Sequence, residues 1–271
     1  MKRIKKNFCM LKHPKISIII PTLNRIGPLQ DCLASIYAQS YKDFEVITVT
    51  EEGPLAKIRN LGAVRARGDI LTFIDDDVVC DRHWLKNIMY SFECRKVAGV
   101  SGPCIIKHEF RRNRDIFRFK RFKSLHDHLF LGSERGLPGH ITSAGAWTTG
   151  ASEETDYEGS VQFLEACNMS FEKDAFWKVG GFDDAYKGIG DWSEPDICFK
   201  IRKNGGLLWF SKLVRLEHRP SKSGAFNKRK EQAMLRLKNY DLFSKRWVTP
   251  CFRHSLYKLF LRGYYVIKTI G

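Results

Sequence analysis

Short, nearly continuous apolar runs that alternate with helical patterns constrain the fold of this chain more than any other feature. The first three runs cover residues 15–21 (KISIIIP), 44–50 (FEVITVT) and 70–74 (ILTFI). Such runs are typical of strands that are buried on both faces. Apolar residues recur at helical spacing over 29–37, and a second helix is predicted over 55–67. The alternation predicts an α/β fold with a mainly parallel central sheet and helices on both faces.

The same alternation continues less regularly through the rest of the chain. Further strands are predicted at residues 97–100, 163–171, 207–210 and 213–216. Further helices are predicted after Asp81, at 172–179, at 195–205 and at 227–243. Regular patterns are weak between residues 104 and 160, and a long irregular insertion in a compact domain is usually functional or mobile.

Basic residues give the 271-residue chain a formal net charge of +16 at pH 7. They are concentrated in residues 1–15, 111–123 and 253–268. This charge favours polyanions, namely nucleic acid, anionic lipid headgroups or phosphorylated substrates. The chain has no recognition signature of the usual nucleic-acid-binding modules, so we expect no nucleic-acid partner.

The sequence also carries expectations about cellular location. No window approaches the roughly 20 apolar residues that span a bilayer, and Pro21 ends the first apolar run too early for a signal peptide. The eight cysteines are scattered without a C-x-x-C pair, which indicates free thiols in a reducing compartment and no zinc site. We therefore expect a cytoplasmic protein.

The last 20 or so residues form a separate pattern, in which basic residues alternate with apolar ones from Cys251 to Ile270. One interpretation is an interfacial helix that docks on an anionic membrane, which would make the protein peripheral on the inner face of the membrane. The other interpretation is a helix that packs on the domain itself.

Three consecutive carboxylates, Asp75, Asp76 and Asp77, follow the third predicted strand. Like charges packed this closely repel each other and resist desolvation. A divalent cation such as Mg²⁺ or Mn²⁺ relieves the repulsion, prefers oxygen ligands and is commonly shared with substrate phosphates. An acidic surface loop is the alternative, but the carboxyl ends of strands are the usual ligand sites of α/β folds.

A second informative stretch runs from Gly188 to Gly205. Pro195 suits the first turn of a helix and Gly205 suits its end. Glu194 is therefore predicted at the helix N-cap, where the positive end of the helix dipole stabilises a negative charge.

Taken in chain order, the predicted strands and helices and the motifs on them resemble the family-two glycosyltransferases of the Rossmann-like GT-A fold. The resemblance covers about residues 16–220 and is carried by four segments: residues 17–25, 66–77, 168–184 and 192–198. Four motifs in the family's order are specific, although each alone is weak. The resemblance implies a nucleotide-diphosphate sugar donor (UDP- or GDP-sugar), a divalent metal and inversion at the anomeric carbon.

The resemblance also assigns roles to residues. Those implied to bind the nucleotide sugar are Pro21, Thr22, Asn24, Arg25, Glu51, Arg59, Asp75 and Asp76. Asp77 is implied to bind the metal. His218 falls where a histidine often completes the metal or diphosphate site, with an ordinary surface or core residue as the alternative. Glu194 aligns with the general base, with Asp191 and Asp196 as alternatives because the family's Glu-Asp-x-Asp is Ser-Glu-Pro-Asp here.

The resulting prediction is a metal-assisted inverting glycosyltransferase that acts on a glycan or lipid-linked acceptor, at a hydroxyl or a lipid phosphate. Its expected organisation is a basic extension (1–15), a GT-A domain (16–220) with nucleotide-binding (16–102) and acceptor (103–220) halves, and a basic helical tail (221–271). A nucleotidyltransferase and a non-catalytic polyanion-binding protein are the alternatives. A dinucleotide-binding enzyme is excluded because no G-x-G-x-x-G follows the first strand.

Overall fold

The computed structural model describes residues 14–23, 25–107, 120–148, 150, 155–220 and 232–270. The predictions for Asn24, for nearly all of the basic extension, for most of the basic cluster at 111–123 and for residues 221–231 lie outside these ranges.

The strands and helices alternate through the first half of the chain, as the sequence predicts. The strands are β1 (Ile16–Pro21), β2 (Phe44–Val49), β3 (Ile70–Phe73), β4 (Val78–Cys80), β5 (Gly99–Ser101), β6 (Cys104–Ile105), β7 (Gly159–Ser160), β8 (Met169–Glu172), β9 (Leu208–Phe210) and β10 (Leu216–His218). The helices are α1 (Ile26–Tyr37), α2 (Leu55–Arg65), α3 (Trp84–Arg95), α4 (Lys120–His126), α5 (Lys173–Lys178), α6 (Ser193–Lys203), α7 (Ala233–Trp247) and α8 (Phe252–Ile270). A π-helical turn (Asp127–Leu131) and a 3-10 turn (Gly132–Gly136) continue α4.

The described residues form a seven-stranded sheet in the order β2-β1-β3-β8-β5-β9-β7. β1 pairs in parallel with both β2 and β3, and β5 pairs in parallel with β9. β8 and β7 run in the opposite direction to their neighbours. The mainly parallel central sheet is therefore confirmed, with two reversed strands.

Successive side chains of β1 enter different cores because they alternate between the faces of the sheet. Ile18 and Ile20 pack in the cluster that contains Trp84 of α3 and Ile36 of α1. Ile19 packs in the other cluster, which includes residues of α2, α6, α7 and α8. Helices thus cover both faces of the sheet, and the α/β prediction with a helical C-terminal region is confirmed.

A small second sheet, β4-β10-β6, positions the site. β10 runs antiparallel to β4, and this register places His218 opposite Val78. The backbone N–H of Arg219 donates to the carbonyl of Asp77 at 2.8 Å. The second sheet thereby fixes the end of β10 against the acidic triplet.

Two strand predictions differ from the structure. The predicted strand at 163–171 begins only at Met169, because the N–H of Asn168 closes a turn on the carbonyl of Glu165. The predicted strand at 213–216 begins three residues late, at Leu216, because a turn joins the N–H of Val214 to the carbonyl of Ser211.

The helix that carries Glu194 begins earlier than predicted. α6 starts at Ser193, and Trp192 occupies the N-cap position with a left-handed φ of 77°. Glu194 therefore lies in the first turn and not at the N-cap. The first turn still places its carboxylate near the positive end of the helix dipole.

Candidate active site

Asp75, Asp77 and His218 form one cluster at the carboxyl end of β3. One ligand atom from each of the three lies within 4.8 Å of the other two, and Nε2 of His218 is 3.2 Å from Oδ1 of Asp77. Two carboxylates and an imidazole are a suitable donor set for a divalent cation such as Mn²⁺. The residues present therefore fit the metal that the sequence implied.

Asp76 is not one of the three clustered ligands and lies in a buried hydrogen-bonded network beside them. Its side chain is fully buried, and Thr22 donates from Oγ1 to its Oδ2 at 2.6 Å. The guanidinium of Arg25 pairs with both Asp76 and Asp77, with Nη1 at 2.9 Å from Oδ2 of Asp77. Thr22 and Arg25, which directly follow β1 or flank α1, are thus tied to the acidic triplet.

The local electrostatics reflect three carboxylates in a partly enclosed space. Desolvation by the surrounding protein raises the pKa of Asp75 to about 7, although 32% of its side chain is exposed, and the nearby Cys167 and Asp77 add to the rise. Burial opposes the charged form of His218, but Cys167 and Asp77 outweigh it and raise the pKa of His218 to about 10. Without a cation, the site therefore favours a protonated His218.

Arg59 connects the acidic cluster to Glu194. Its side chain is 2% exposed, with Nη1 at 2.5 Å from Oε1 of Glu194 and Nη2 at 4.0 Å from Oδ1 of Asp75. Glu194 is itself buried, with 8% of the side chain exposed. Burial raises the pKa of Glu194 above its ordinary value, and the charge and hydrogen bond of Arg59 limit the rise.

The two alternative carboxylates are engaged elsewhere. Asp191 pairs with the buried Arg236 of α7. Asp196 is fully buried and accepts hydrogen bonds from Trp247 Nε1 at 2.8 Å and from Arg246 Nη1 at 3.1 Å, with Nζ of Lys200 at 2.7 Å. These partners tie Asp191 and Asp196 to the packing of α6 on α7.

The remaining sequence-predicted residues lie along the same edge of the sheet. Pro21 is the last residue of β1 and pairs with Val49 of β2. Glu51 follows β2, is partly exposed and pairs with Arg65 of α2. Pro21 therefore lies against β2 and Glu51 against α2.

The sequence interpretation missed the position of Cys167. Cys167 is buried, forms a hydrogen bond with His218 and contributes to the electrostatics of Asp75. The antiparallel register pairs Phe73 with Met169, and extending it by two residues places Cys167 opposite Asp75. Only the pairing of β3 with β8 could have revealed this neighbour.

Two asparagine side chains, Asn60 and Asn168, form hydrogen bonds with backbone groups near the site. Asn60 Nδ2 donates to the carbonyl of Phe182 at 2.7 Å, and its Oδ1 accepts from the N–H of Phe182 at 3.0 Å. Asn168 accepts from Trp84 Nε1 and donates to the carbonyls of Gly102 and Val214. These bonds fasten the loops around the site to α2, to α3 and to the segments that precede β6 and β10.

The known proteins to which this chain is similar are glycosyltransferases. The family model described as glycosyl transferase family 2 matches residues 17–52 and 50–144. The glucosyl-dolichyl phosphate glucuronosyltransferase of Haloferax volcanii is 22% identical over 238 residues, a match that covers 76% of this chain and 69% of that protein. The GalNAc(5)-diNAcBac-PP-undecaprenol beta-1,3-glucosyltransferase of Campylobacter jejuni is 26% identical over 132 residues, covering 38% of this chain and 42% of that protein.

The fold is also shared with a solved structure. The mannosyltransferase PcManGT from Pyrobaculum calidifontis, solved in complex with GDP-Man and Mn²⁺, superposes with a TM-score of 0.54 at 17% identity. The superposition covers 95% of this chain and 70% of that one. Within the part of the chain that the structure describes, no helix combines the length and apolar character required to cross a membrane.

Proposed function

We propose that this chain, which belongs to glycosyltransferase family 2 and has the GT-A fold, transfers a sugar with inversion from a UDP- or GDP-sugar to an acceptor. The observation that carries the proposal is the connection of two groups of residues through Arg59. The guanidinium of Arg59 lies near Asp75 of the acidic cluster on one side and pairs with Glu194 on the other. Transfer requires both a site for the leaving diphosphate and a base for the acceptor.

Asp77 and His218 would hold a divalent metal, Mn²⁺ or Mg²⁺, with Asp75 beside them. When bound, the metal supplies positive charge that stabilises the leaving diphosphate. A cation at this site competes with the proton on His218, because a ligating imidazole is neutral. The Mn²⁺ and GDP-Man in the structural neighbour support this assignment.

We assign donor binding to residues at the carboxyl ends of β1, β2 and β3, within the 16–102 half of the domain. Pro21, Thr22 and Arg25 border the acidic triplet, and Glu51 follows the adjacent strand. Ligands of open α/β sheets bind at this edge. The burial of Asp76 suits a positioning role, in which it orients Thr22 and Arg25 toward the donor.

Glu194, in the 103–220 half, is the general base of the proposed reaction. The acceptor oxygen attacks the anomeric carbon, the bond from that carbon to the diphosphate oxygen breaks, and the acceptor proton passes to the Glu194 carboxylate. A base must be ionised before the reaction, and the ion pair with Arg59 favours that form in spite of burial. If the acceptor is an ionised lipid phosphate, no proton is transferred and the reaction needs no base at Glu194.

We propose a lipid-linked acceptor and a cytoplasmic location at the membrane surface. The names of two relatives include dolichyl phosphate and undecaprenol. The basic charge of the chain suits an anionic surface. A nucleotidyltransferase and a non-catalytic polyanion-binding protein are not favoured, because the family match and the named relatives are glycosyltransferases.

Titration calorimetry of UDP and GDP, with and without Mn²⁺, tests the metal site. Asp77→Asn removes the charge that holds the cation, so Mn²⁺-dependent nucleotide affinity should be lost and transfer nearly abolished. Asp69→Asn is the matched control, because Asp69 is an exposed aspartate before β3 that pairs with Lys15. Unchanged Mn²⁺-dependent affinity in Asp77→Asn would remove Asp77 from the site.

A further inference from the structure

Helix α8 has two apolar faces, and within the described part of the chain only one of them packs on other residues. Tyr257, Leu261 and Tyr265 are spaced four residues apart and are buried. Tyr257 packs on Phe130 and Tyr240, with ring centroids 4.8 and 5.4 Å apart. The sequence allowed two interpretations of this helix, packing on the domain and docking on a membrane. The two are compatible, because the packed residues occupy only one stripe of the helix.

The opposite stripe is apolar and faces solvent. It contains Phe252, Leu256, Leu259 and Ile267, with 82, 38, 67 and 57% of their surfaces exposed. At 100° per residue these side chains lie on one face, directly opposite the buried tyrosines. We call these four residues the outer face of α8.

Residues of the preceding region extend the outer face. Leu125 and Leu129 are 49 and 38% exposed, and their four-residue spacing places them on one side of the helical segment 120–131. Nη2 of Arg253 donates to the carbonyl of Leu129 at 2.9 Å, which holds this segment against the start of α8. The two elements that expose these apolar side chains are thus in contact.

The charged side chains of α8 itself have one sign. Residues 252–270 contain no aspartate or glutamate, and Arg253 and Arg262 lie on opposite flanks of the outer face. Apolar residues bordered by basic ones are the pattern of interfacial helices that bind anionic lipid headgroups. A second copy of the chain is a poorer occupant, because a two-fold contact through this face would bring the same basic residues together.

We propose that the outer face of α8, extended by Leu125 and Leu129, docks the protein on an anionic membrane surface. The proposal rests on the proposed function, since it would bring the active site to a lipid-linked acceptor. It commits to an interfacial position: the outer face enters the headgroup region, while Tyr257, Leu261 and Tyr265 stay packed on the domain.

Co-sedimentation of the full chain with vesicles tests the docking. We expect binding to phosphatidylcholine–phosphatidylglycerol vesicles that weakens with salt, and much weaker binding to phosphatidylcholine alone. Leu259→Glu should lower the partition coefficient about tenfold or more, because it removes a leucine that docking would bury in the membrane and adds a charge that the anionic surface repels. Leu213→Glu is the matched control, since Leu213 is 54% exposed in the turn before β10, and it should bind like the wild type.

Two results would overturn the docking proposal. The first is no binding to anionic vesicles by the wild type, or equal binding by wild type and Leu259→Glu. The second is a concentration-dependent dimer, detected by light scattering, that Leu259→Glu dissociates, because a second copy would then cover the outer face.

Donor hydrolysis and Mn²⁺-dependent nucleotide binding, measured without vesicles, keep the two proposals separate. If Leu259→Glu loses vesicle binding but keeps donor hydrolysis and Mn²⁺-dependent nucleotide binding, both proposals stand. Failure of vesicle binding with intact donor hydrolysis rejects the docking proposal alone. Vesicle binding by a wild type that neither binds nucleotide nor hydrolyses donor rejects the proposed function alone.

Discussion

At the scale of single residues, Arg59 has the most demanding position in the candidate site. It is almost completely buried, and a buried guanidinium needs carboxylate partners. Oε1 of Glu194 supplies the close partner, Asp75 lies further away, and the ring of Phe182 lies 5.5 Å from the guanidinium carbon. The positive charge of Arg59 should therefore set the protonation of Glu194.

Replacing Arg59 should shift the pH dependence of the reaction. Burial raises the pKa of Glu194 and Arg59 lowers it, so in Arg59→Gln the pKa rises further. A base must be deprotonated, and the acid limb of kcat should therefore move to higher pH. The measurement is kcat against pH at saturating donor and Mn²⁺.

The same substitution at Arg65 is the control for the pH profile. Arg65 lies on the same helix and pairs with Glu51, at the protein surface. Arg65→Gln should leave the acid limb of kcat where it is in the wild type. An unshifted acid limb in Arg59→Gln would show that Glu194 does not limit the rate at low pH.

At the scale of elements, the fit of α2 against the sheet positions Arg59. A Cβ at Gly62, one turn after Arg59, would lie 2.3 Å from Cγ2 of Ile19 and 3.0 Å from Cγ2 of Val49. Both neighbours are buried and β-branched, so neither can yield easily. The close approach of α2 to β1 and β2 therefore needs glycine at this position.

Gly62→Ala should destabilise the protein by about 1–3 kcal/mol, as overpacked core substitutions do. The control is Gly263→Ala in α8, where a new Cβ meets nothing within 4 Å. That change should stabilise the helix by roughly 0.5–1 kcal/mol, the difference in helix propensity between alanine and glycine. Urea unfolding of both variants measures the two effects, and equal stabilities would contradict the tight packing of α2.

The sequence predicted most of the elements because their signals are local. β1, β2 and β3 are short apolar runs, and α2 and α3 follow at the predicted places. The boundaries of β8 and β10 were missed because turns at Asn168 and Val214 interrupt apolar stretches that read as continuous strands. β4, β6 and β7 have three residues or fewer, too short to show a period of two.

At the scale of the whole molecule, local sequence patterns predicted the acidic triplet but not the residues that surround it. Asp75 and Asp77 are adjacent to a strand in sequence, whereas His218 reaches them only through the pairing of β10 with β4. Arg59 and Glu194 are separated by 135 positions in the chain. Their ion pair depends on how α2 and α6 pack, and no local pattern encodes that contact. The family resemblance supplied these residues as candidates, and the structure supplies their connections.

Of all measurements, the stereochemistry of transfer by the wild type and by Glu194→Gln tests the central claim most directly. With a cognate nucleotide sugar and acceptor, proton NMR of the product identifies the anomer, and a stopped assay gives kcat. Inversion in one displacement predicts a product anomer opposite to that of the donor. It also predicts a fall in kcat of about 10²-fold or more in Glu194→Gln, the scale of general-base catalysis, when the acceptor is a hydroxyl.

Asp191→Asn and Asp196→Asn complete the same experiment. Their carboxylates bind cations of α6 and α7, so these variants should lose stability but keep more kcat than Glu194→Gln, with nucleotide binding little changed in all three. The account predicts an inverted anomer and the largest loss of kcat in Glu194→Gln. A product that retains the donor anomer would contradict it, as would near-normal kcat in Glu194→Gln with collapse in Asp191→Asn or Asp196→Asn.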